Sequence, residues 1–231
     1  SYIDKDGNQK PISDAIMNKL KETWNAQTDR AMRVIAIVKE CEGERTFVAL
    51  ISIRDDVRKD VKGSVKKMLK AGVKVTMVTG DVLATARAIA KEAGLITKPT
   101  DICITHDELS KISDEELIKI LPDLKVVARA VPSDKERLVE VSRSIGEVVG
   151  MTGDGVNDAA ALHKADVGFA MGSGTEVAKE AGDIIILNDS LTSIADAIMY
   201  GRTMSKSVKK FIIFQLTVNV STVFTAVLGP I

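Results

Sequence analysis

The chain has 231 residues, with 32 basic and 32 acidic side chains, a formal net charge of zero and 3% aromatic residues. That length gives one large domain, or one domain with pieces of others. Neutral charge and few aromatics argue against the basic surface and stacking platforms of a nucleic-acid binder, and the distant Cys41 and Cys103 read as reduced thiols, not a disulfide framework or thiolate metal site.

No secretory signal pattern is read at the start. In "PISDAIMNKLKETWNAQ", Ile12, Ile16, Leu20 and Trp24 recur at helical spacing. "MRVIAIV" and "RTFVALISI" read as two strands rich in β-branched residues, joined by a turn near Cys41–Glu44. At Asp55 the rhythm changes. A helix is expected from about Val57 to Ala71, stopping at Gly72. The strand "VKVTMV" (73–78) follows and ends in Thr79-Gly80-Asp81, then the helix "LATARAIAKEA" stops at Gly94. "ICIT" and "LKVVA" are strands flanking an acidic helical stretch from Ser113 to Leu121. Ser133-Asp134-Lys135-Glu136 reads as a capping box opening another helix. Strand "EVVGM", helix "DAAALHK", strand "VGFAM", helix "TEVAKEA" and strand "DIIIL" complete the alternation, with no repeat or low-complexity segment.

Alternating strands and helices, with several strands apolar throughout, predict an α/β fold: a parallel sheet with helices on both faces. Ligands of such sheets bind beyond the carboxyl ends of the strands. Thr79-Gly80-Asp81 and Gly153-Asp154-Gly155 fall at such ends, and Lys135 lies just after another.

In "VVGMTGDGVNDAAAL" (148–162) an apolar run ends in two carboxylates, Asp154 and Asp158, with Asn157 between them. Helix capping accounts for one or both acids. The glycines on either side of Asp154 allow unusual backbone angles and close ligand approach, and two acids with an open backbone also suit Mg²⁺, which touches phosphate oxygens. Lys135 sits in a first helical turn, where the dipole disfavours a cation; either it is solvated there or an anion faces it. Thr79-Gly80-Asp81 offers a hydroxyl, backbone N–H and a helix N-terminus as an anion cradle. Together these groups describe a phosphoryl-transfer site without a nucleophile. His106 and His163 read as isolated surface residues.

From Phe211 to Ile231 no residue is charged, and Arg202, Lys206, Lys209 and Lys210 precede that run. The length suits a membrane-spanning helix with a basic cytoplasmic flank; a long buried core helix is the alternative. Gln215, Asn219, Ser221 and Thr222 would lie inside the span, where polar residues face a protein interior or transport path.

"TGDGVNDAAALHKADVGFAMGSGTEVAKEAGDIIIL" closely resembles the hinge motif and following segment of P-type cation-transporting ATPases, and "MVTGD" with "TARAIAKEAGL", and "ARAVPSDK", resemble two more of their motifs in the same order. The resemblance covers nearly the whole chain. It implies a haloacid dehalogenase-like phosphorylation domain at 55–200, the C-terminal part of a nucleotide-binding domain at 1–54, and a stalk with the first part of the fifth membrane helix at 201–231. It implies ATP as substrate and Mg²⁺ as cofactor. Asp154 would bind the Mg²⁺, with Asp158 and Asn157 supporting it and the phosphate. Lys135 would neutralise the transferred phosphoryl group, Thr79 and Gly80 would contact it, and Asp81 would help align the domains. Arg129 and Arg33 match nucleotide-contacting arginines, and Asp55 and Arg58, which match the functional acid and arginine of the segment returning to the phosphorylation domain, are expected with them at the nucleotide. Asp56 stands where the family usually has proline, a departure at that crossing.

The family's nucleophile is the aspartate of a D-K-T-G-T motif, and no such motif occurs here. "IDKDG" (3–7) imitates its first letters, but it lacks the threonines and a preceding apolar strand. The nucleophile is therefore expected upstream, in a missing N-terminal part of the same pump. "FQLTVNV" resembles calcium pumps of the plasma-membrane type, with Asn219 at the cation-binding asparagine. Thr222 stands where the sarcoplasmic-reticulum type has a glutamate, which implies a single calcium site. The expected whole is a multi-pass membrane protein, with this chain mainly on the cytoplasmic side and in contact with lipid through its last helix. Two other readings are a soluble dehalogenase-like phosphatase, which predicts a complete nucleophile motif and no hydrophobic end, and a catalytically silent nucleotide-binding module.

Overall fold

The computed structural model describes the whole chain except Lys5, Asp29, Ala31, Glu42, Asp55, Pro230 and Ile231. Strands β1 (Tyr2–Ile3), β2 (Gln9–Lys10), β3 (Arg33–Cys41) and β4 (Glu44–Ile53) form a four-stranded sheet in the order β2-β1-β4-β3, with helix α1 (Asp14–Thr28) between β2 and β3. The β3–β4 hairpin is antiparallel, as the strand patterns predict. No residue of α1 is buried, and Trp24, Ile35, Ile37 and Ile51 are exposed.

After the crossing at 54–60 the chain alternates strand and helix. Helix α2 (Val61–Lys70) is followed by β5 (Met77–Val78), α3 (Leu83–Glu92), β6 (Ile102–Thr105), α4 (His106–Leu109) and α5 (Asp114–Ile120). Then come β7 (Leu124–Ala128), α6 (Pro132–Ser144), β8 (Gly150–Gly153), α7 (Ala159–Lys164), β9 (Val167–Met171), α8 (Glu176–Ala181) and β10 (Ile184–Ile186). Several boundaries differ from the sequence reading, among them those of α2, β5 and β8. Helix α2 starts four residues later, with Asp60 at its N-cap, and in the preceding crossing Arg58 reaches the carbonyls of Asn188 and Asp189. Strand β5 is short because its ladder begins only at Met77 opposite Val126; at Thr76 a side-chain hydroxyl, not a backbone N–H, donates to the Leu124 carbonyl.

All strand pairs in this part are parallel, but they form two three-stranded sheets, β5-β7-β6 and β10-β9-β8. Strand β7 shows why helices cover both faces. Its adjacent Val126 and Val127 are fully buried in different clusters, Val126 with Val65, Met68, Ala86 and Ala90, and Val127 with Leu109, Leu117 and Leu121. A two-residue side-chain period on a strand buried on both faces requires that division.

Among the described residues, β5 and β8 are hydrogen-bonded on one side only. Unpaired parallel edges are templates for association. The isolated 231-residue chain is expected to elute as oligomers in light scattering; a monodisperse monomer with protected β5 and β8 amides would contradict this.

The last element, α9 (Leu191–Leu228), is one uninterrupted helix of 38 residues. Its N-cap Ser190 accepts from Thr192 N–H, and its first turns bury Ile194 and Ala195 against α2 and β9. Beyond Ile198 every described residue is exposed. An 18-residue window of it has mean hydropathy 1.9, and none of that window is buried by the described residues, as a membrane-spanning helix requires. That window is about 27 Å long, close to the hydrocarbon thickness of a bilayer.

Candidate active site

The carboxyl ends of β5, β7 and β8 carry the chemistry. At the end of β5, Thr79 N–H donates to the Val127 carbonyl at 3.0 Å, and the Thr79 carbonyl accepts from Ala130 N–H at 2.9 Å. The loop is closed by Thr79 Oγ1, which accepts from Asp81 N–H at 3.2 Å and donates to Asp81 Oδ2 at 3.3 Å. The Asp81 carbonyl accepts from Arg129 N–H at 2.9 Å. Arg129 has φ +51°, a left-handed conformation that a non-glycine residue holds only when its surroundings impose it. Here its own N–H and that of Ala130 are fastened to the Thr79–Asp81 loop. Arg33 Nη2 on β3 donates to Asp81 Oδ1 at 2.6 Å, which ties the N-terminal sheet to this loop.

Lys135 lies in the first turn of α6 and pairs with Asp158, joining the helix that follows β7 to the segment that follows β8. Side-chain exposure is 20% for Lys135 and 8% for Asp158, so the pair is largely withdrawn from water. Asp158 Oδ2 also accepts from Asp154 N–H at 3.3 Å and Gly155 N–H at 3.4 Å. The anion opposite Lys135 is thus a carboxylate of the chain itself. The cap of α6 differs from the predicted box: Pro132 opens the helix, and Asp134 reaches back to accept from Val131 N–H at 3.0 Å.

The glycines beside Asp154 act differently from expectation. Gly155 has φ −107°, and Gly153 needs no left-handed angle either. Gly153 is required by closeness: a Cβ there would lie 2.4 Å from Asp158 Cβ and 2.9 Å from its Oδ2. Gly174 is similar, since its Cβ would lie 2.9 Å from the Asp154 carbonyl oxygen. That carbonyl accepts from Thr175 N–H at 2.8 Å.

Asp154 and Asn157 are exposed, and the Asp154 carboxylate has no hydrogen bond or ion pair among the described residues. Asp158 is engaged by Lys135 and two N–H groups, so of the two acids read as metal ligands only Asp154 presents an unengaged carboxylate. No cluster of three or more ligating side chains occurs among the described residues. The donor set fits Mg²⁺ held by one carboxylate, water and phosphate oxygens, and does not fit an all-protein metal cage.

The other predicted site residues lie elsewhere. Gly80 is exposed at the tip of the β5 loop, with nothing within 4 Å of an added Cβ. Arg58 donates to the Asn188 and Asp189 carbonyls at 3.4 and 2.8 Å, at the base of α9. Asp55 lies outside the described residues. Asn219 is on the exposed apolar part of α9, about 42 Å along the helix from Leu191. Its Oδ1 accepts from Gln215 Nε2 at 3.4 Å. Asp4 of "IDKDG" accepts from Asp6 and Asn8 N–H and pairs with Lys10 at 2.6 Å, so it is a turn residue beside β1.

His106 corrects the sequence reading. It is not isolated: its Nδ1 lies 2.8 Å from Asp134 Oδ2, and Asp134 is buried directly before Lys135. Nothing in the spacing of 28 residues signals that contact. His163 is exposed, as expected.

A profile described as haloacid dehalogenase-like hydrolase matches residues 5–166, and a second with the same description matches 137–198. Calcium-transporting ATPase 2 of Schizosaccharomyces pombe is 49% identical over 189 residues, covering 81% of this chain and 15% of that protein. The plasma membrane-type calcium-transporting ATPase 8 of Arabidopsis thaliana is 41% identical over 254 residues, covering 100% and 24%. Human plasma membrane calcium-transporting ATPase 4 is 47% identical over 201 residues, covering 80% and 16%. The crystal structure of a zinc-transporting PIB-type ATPase in the E2.Pi state superposes with TM-score 0.68 and 25% identity, over 92% of this chain and 30% of that one. The chain spans less than a quarter of the length of these three curated relatives.

Proposed function

Because the chain belongs to the haloacid dehalogenase-like hydrolases and is similar to calcium-transporting ATPases, we propose that it is the phosphoryl-handling part of an ATP-driven calcium pump. The observation that supports this most is the Lys135–Asp158 pair, which joins two strand tips beside an unengaged Asp154. The domains divide as 1–54, 55–200 and 201–231, although α9 crosses the last boundary without a break. The aspartate that accepts the phosphoryl group comes from a segment upstream of this chain. The whole is a multi-pass membrane protein in which α9 meets lipid.

In this reading, a carboxylate oxygen of the upstream aspartate bonds to the γ-phosphorus of ATP as the bond to the bridging oxygen breaks and ADP leaves, in the space bordered by Thr79, Gly80, Lys135 and Asp154. The Thr79 hydroxyl and Gly80 N–H hold the phosphoryl oxygens, and Lys135 stabilises the charge that spreads over them in the transition state. Asp154 would hold Mg²⁺, with Asp158 and Asn157 supporting it, and the ion would supply positive charge against the phosphate oxygens. Asp158 orients both the lysine and the backbone of residues 154 and 155. Arg33 and Arg129 face the nucleotide, and the Arg33–Asp81 pair aligns the two units. Asp55 and Arg58 complete the set of residues assigned to the nucleotide. Asn219 supplies an oxygen to the transported ion within the membrane, where Thr222 in place of a carboxylate leaves a site for one Ca²⁺.

The test uses the whole protein that carries this chain, incubated with [γ-³²P]ATP. Label that is acid-stable, hydroxylamine-sensitive and dependent on both Mg²⁺ and Ca²⁺ is expected. Absence of label, or label indifferent to Ca²⁺, would sink the proposal.

A further inference from the structure

The loop Gly172-Ser173-Gly174, between β9 and α8, touches the candidate active site on one flank and the start of α9 on the other. On the first flank, an added Cβ at Gly174 would strike the Asp154 carbonyl oxygen at 2.9 Å and Asp154 Cα at 3.1 Å. On the second, Gly172 N–H donates to the Ile186 carbonyl at 2.9 Å, and a Cβ there would strike Leu187 Cα at 2.9 Å. The loop thus lies close against both neighbours, with no room for a side chain at either glycine. Between the glycines, Ser173 N–H donates to Asp189 Oδ1 at 3.2 Å.

Asp189 is held from several directions. Its φ is +51°, its N–H donates to the Ile186 carbonyl at 3.1 Å, and its own carbonyl accepts from Arg58 Nη1 at 2.8 Å. Hydrogen bonding from Ser173 keeps its carboxyl below the usual aspartate range. The next residue, Ser190, caps α9 and donates to Asp60 Oδ2 at 2.6 Å, and Thr192 Oγ1 donates to the same oxygen at 3.2 Å. A continuous series of contacts thus runs from the Asp154 backbone to the first turn of the helix that carries Asn219.

We propose that the Ser173–Asp189 hydrogen bond is a positioning link that couples the Asp154 site to the N-cap of α9. Cation binding along α9 and metal binding at Asp154 then alter each other's affinity through the hydrogen bonds of this loop. This rests on the pump reading, which makes both ends of the series binding sites. Coupling between two sites is reciprocal, so it can be measured as an equilibrium ratio without turnover.

Two substitutions separate the link from the backbone it sits on. Asp189→Gly removes the acceptor, and glycine holds a φ of +51° without strain. Asp189→Asn keeps an Oδ1 acceptor, and asparagine also tolerates that conformation. In the whole protein, the affinity of Mn²⁺, read by electron paramagnetic resonance in place of Mg²⁺, is measured with and without Ca²⁺. The unmodified protein and Asp189→Asn are expected to show the same Ca²⁺-dependent ratio. Asp189→Gly should lower that ratio by about fivefold or more, the low end of usual allosteric couplings. A Gly variant that retains the ratio, or an Asn variant that loses it equally, overturns the link. An unmodified protein with no ratio overturns the link, while the separate phosphorylation assay decides whether the pump reading falls with it. Amide exchange of the unmodified protein gives an arm without variants: Mg²⁺ is expected to slow exchange at Ser173 and at 191–194 together. Slowing at Ser173 alone overturns the link.

Discussion

Lys135→Ala is expected to cut phosphoenzyme formation by roughly 10²–10³-fold, the usual consequence of removing one preorganised charge from a transition-state site. It should also destabilise the fold, because Asp158 is nearly buried and Lys135 is its cationic partner. Removing one member of such a pair leaves an uncompensated charge and costs about 3 kcal/mol. The two losses have different causes, and a double-mutant cycle separates them. Asp158→Asn in the Lys135→Ala background removes the stranded charge, so urea midpoints should partly recover while phosphorylation stays low. Lys135→Ala with unimpaired phosphorylation would defeat the assignment of Lys135 to the phosphoryl group. A double variant no more stable than Lys135→Ala would defeat the account of the pair.

Gly153→Ala adds a single methyl group and should have the next largest effect. The new Cβ would lie 2.4 Å from Asp158 Cβ and 2.8 Å from Cγ, within a strand and a tight turn that cannot simply spread. Overpacking at such a position costs about 1–3 kcal/mol. Because Asp158 must move, the carboxylate that orients Lys135 and the N–H groups of Asp154 and Gly155 moves with it. Thermal unfolding should shift down, and the label from [γ-³²P]ATP should be largely lost. Gly155→Ala is the matched control: its nearest new contact is 3.8 Å away, so the melting temperature should barely change. Equal melting temperatures for both variants would show that the close approach at Gly153 is not a constraint.

Much of the architecture was legible locally. Alternation of apolar runs with helical spacing places β6, β7, β9, β10, α3 and α8 within a residue or two, because each is a complete local pattern with its own stop signal. Gly94, with φ +77°, ends α3 where the sequence predicts. The strands at 73–78 and 147–151 were read less well. Their extent depends on what they pair with: β5 forms a ladder over two residues only, and β8 begins at Gly150, where β9 lies opposite.

The site divides in the same way. The residue types at the strand tips, the two acids and the lysine, are visible in the sequence because a sheet of this kind presents its ligands there. That Lys135 faces Asp158 is not visible, since the two are 23 residues apart and meet only through the packing of α6 against α7 and the 156–158 turn. The same holds for the His106–Asp134 contact, and for Arg58, which a motif places near the nucleotide and the structure places on the base of α9.

By itself the sequence determined the α/β class, the order of the elements, the uncharged span at the end and the chemical repertoire of the loops. These follow from periodicity and residue type, which act over a few neighbours. Only the tertiary structure decided which carboxylate is engaged and which is open, and why Gly153 is a glycine. Those outcomes depend on distances between segments far apart in the chain, and such distances are set by how the helices pack on the two sheets.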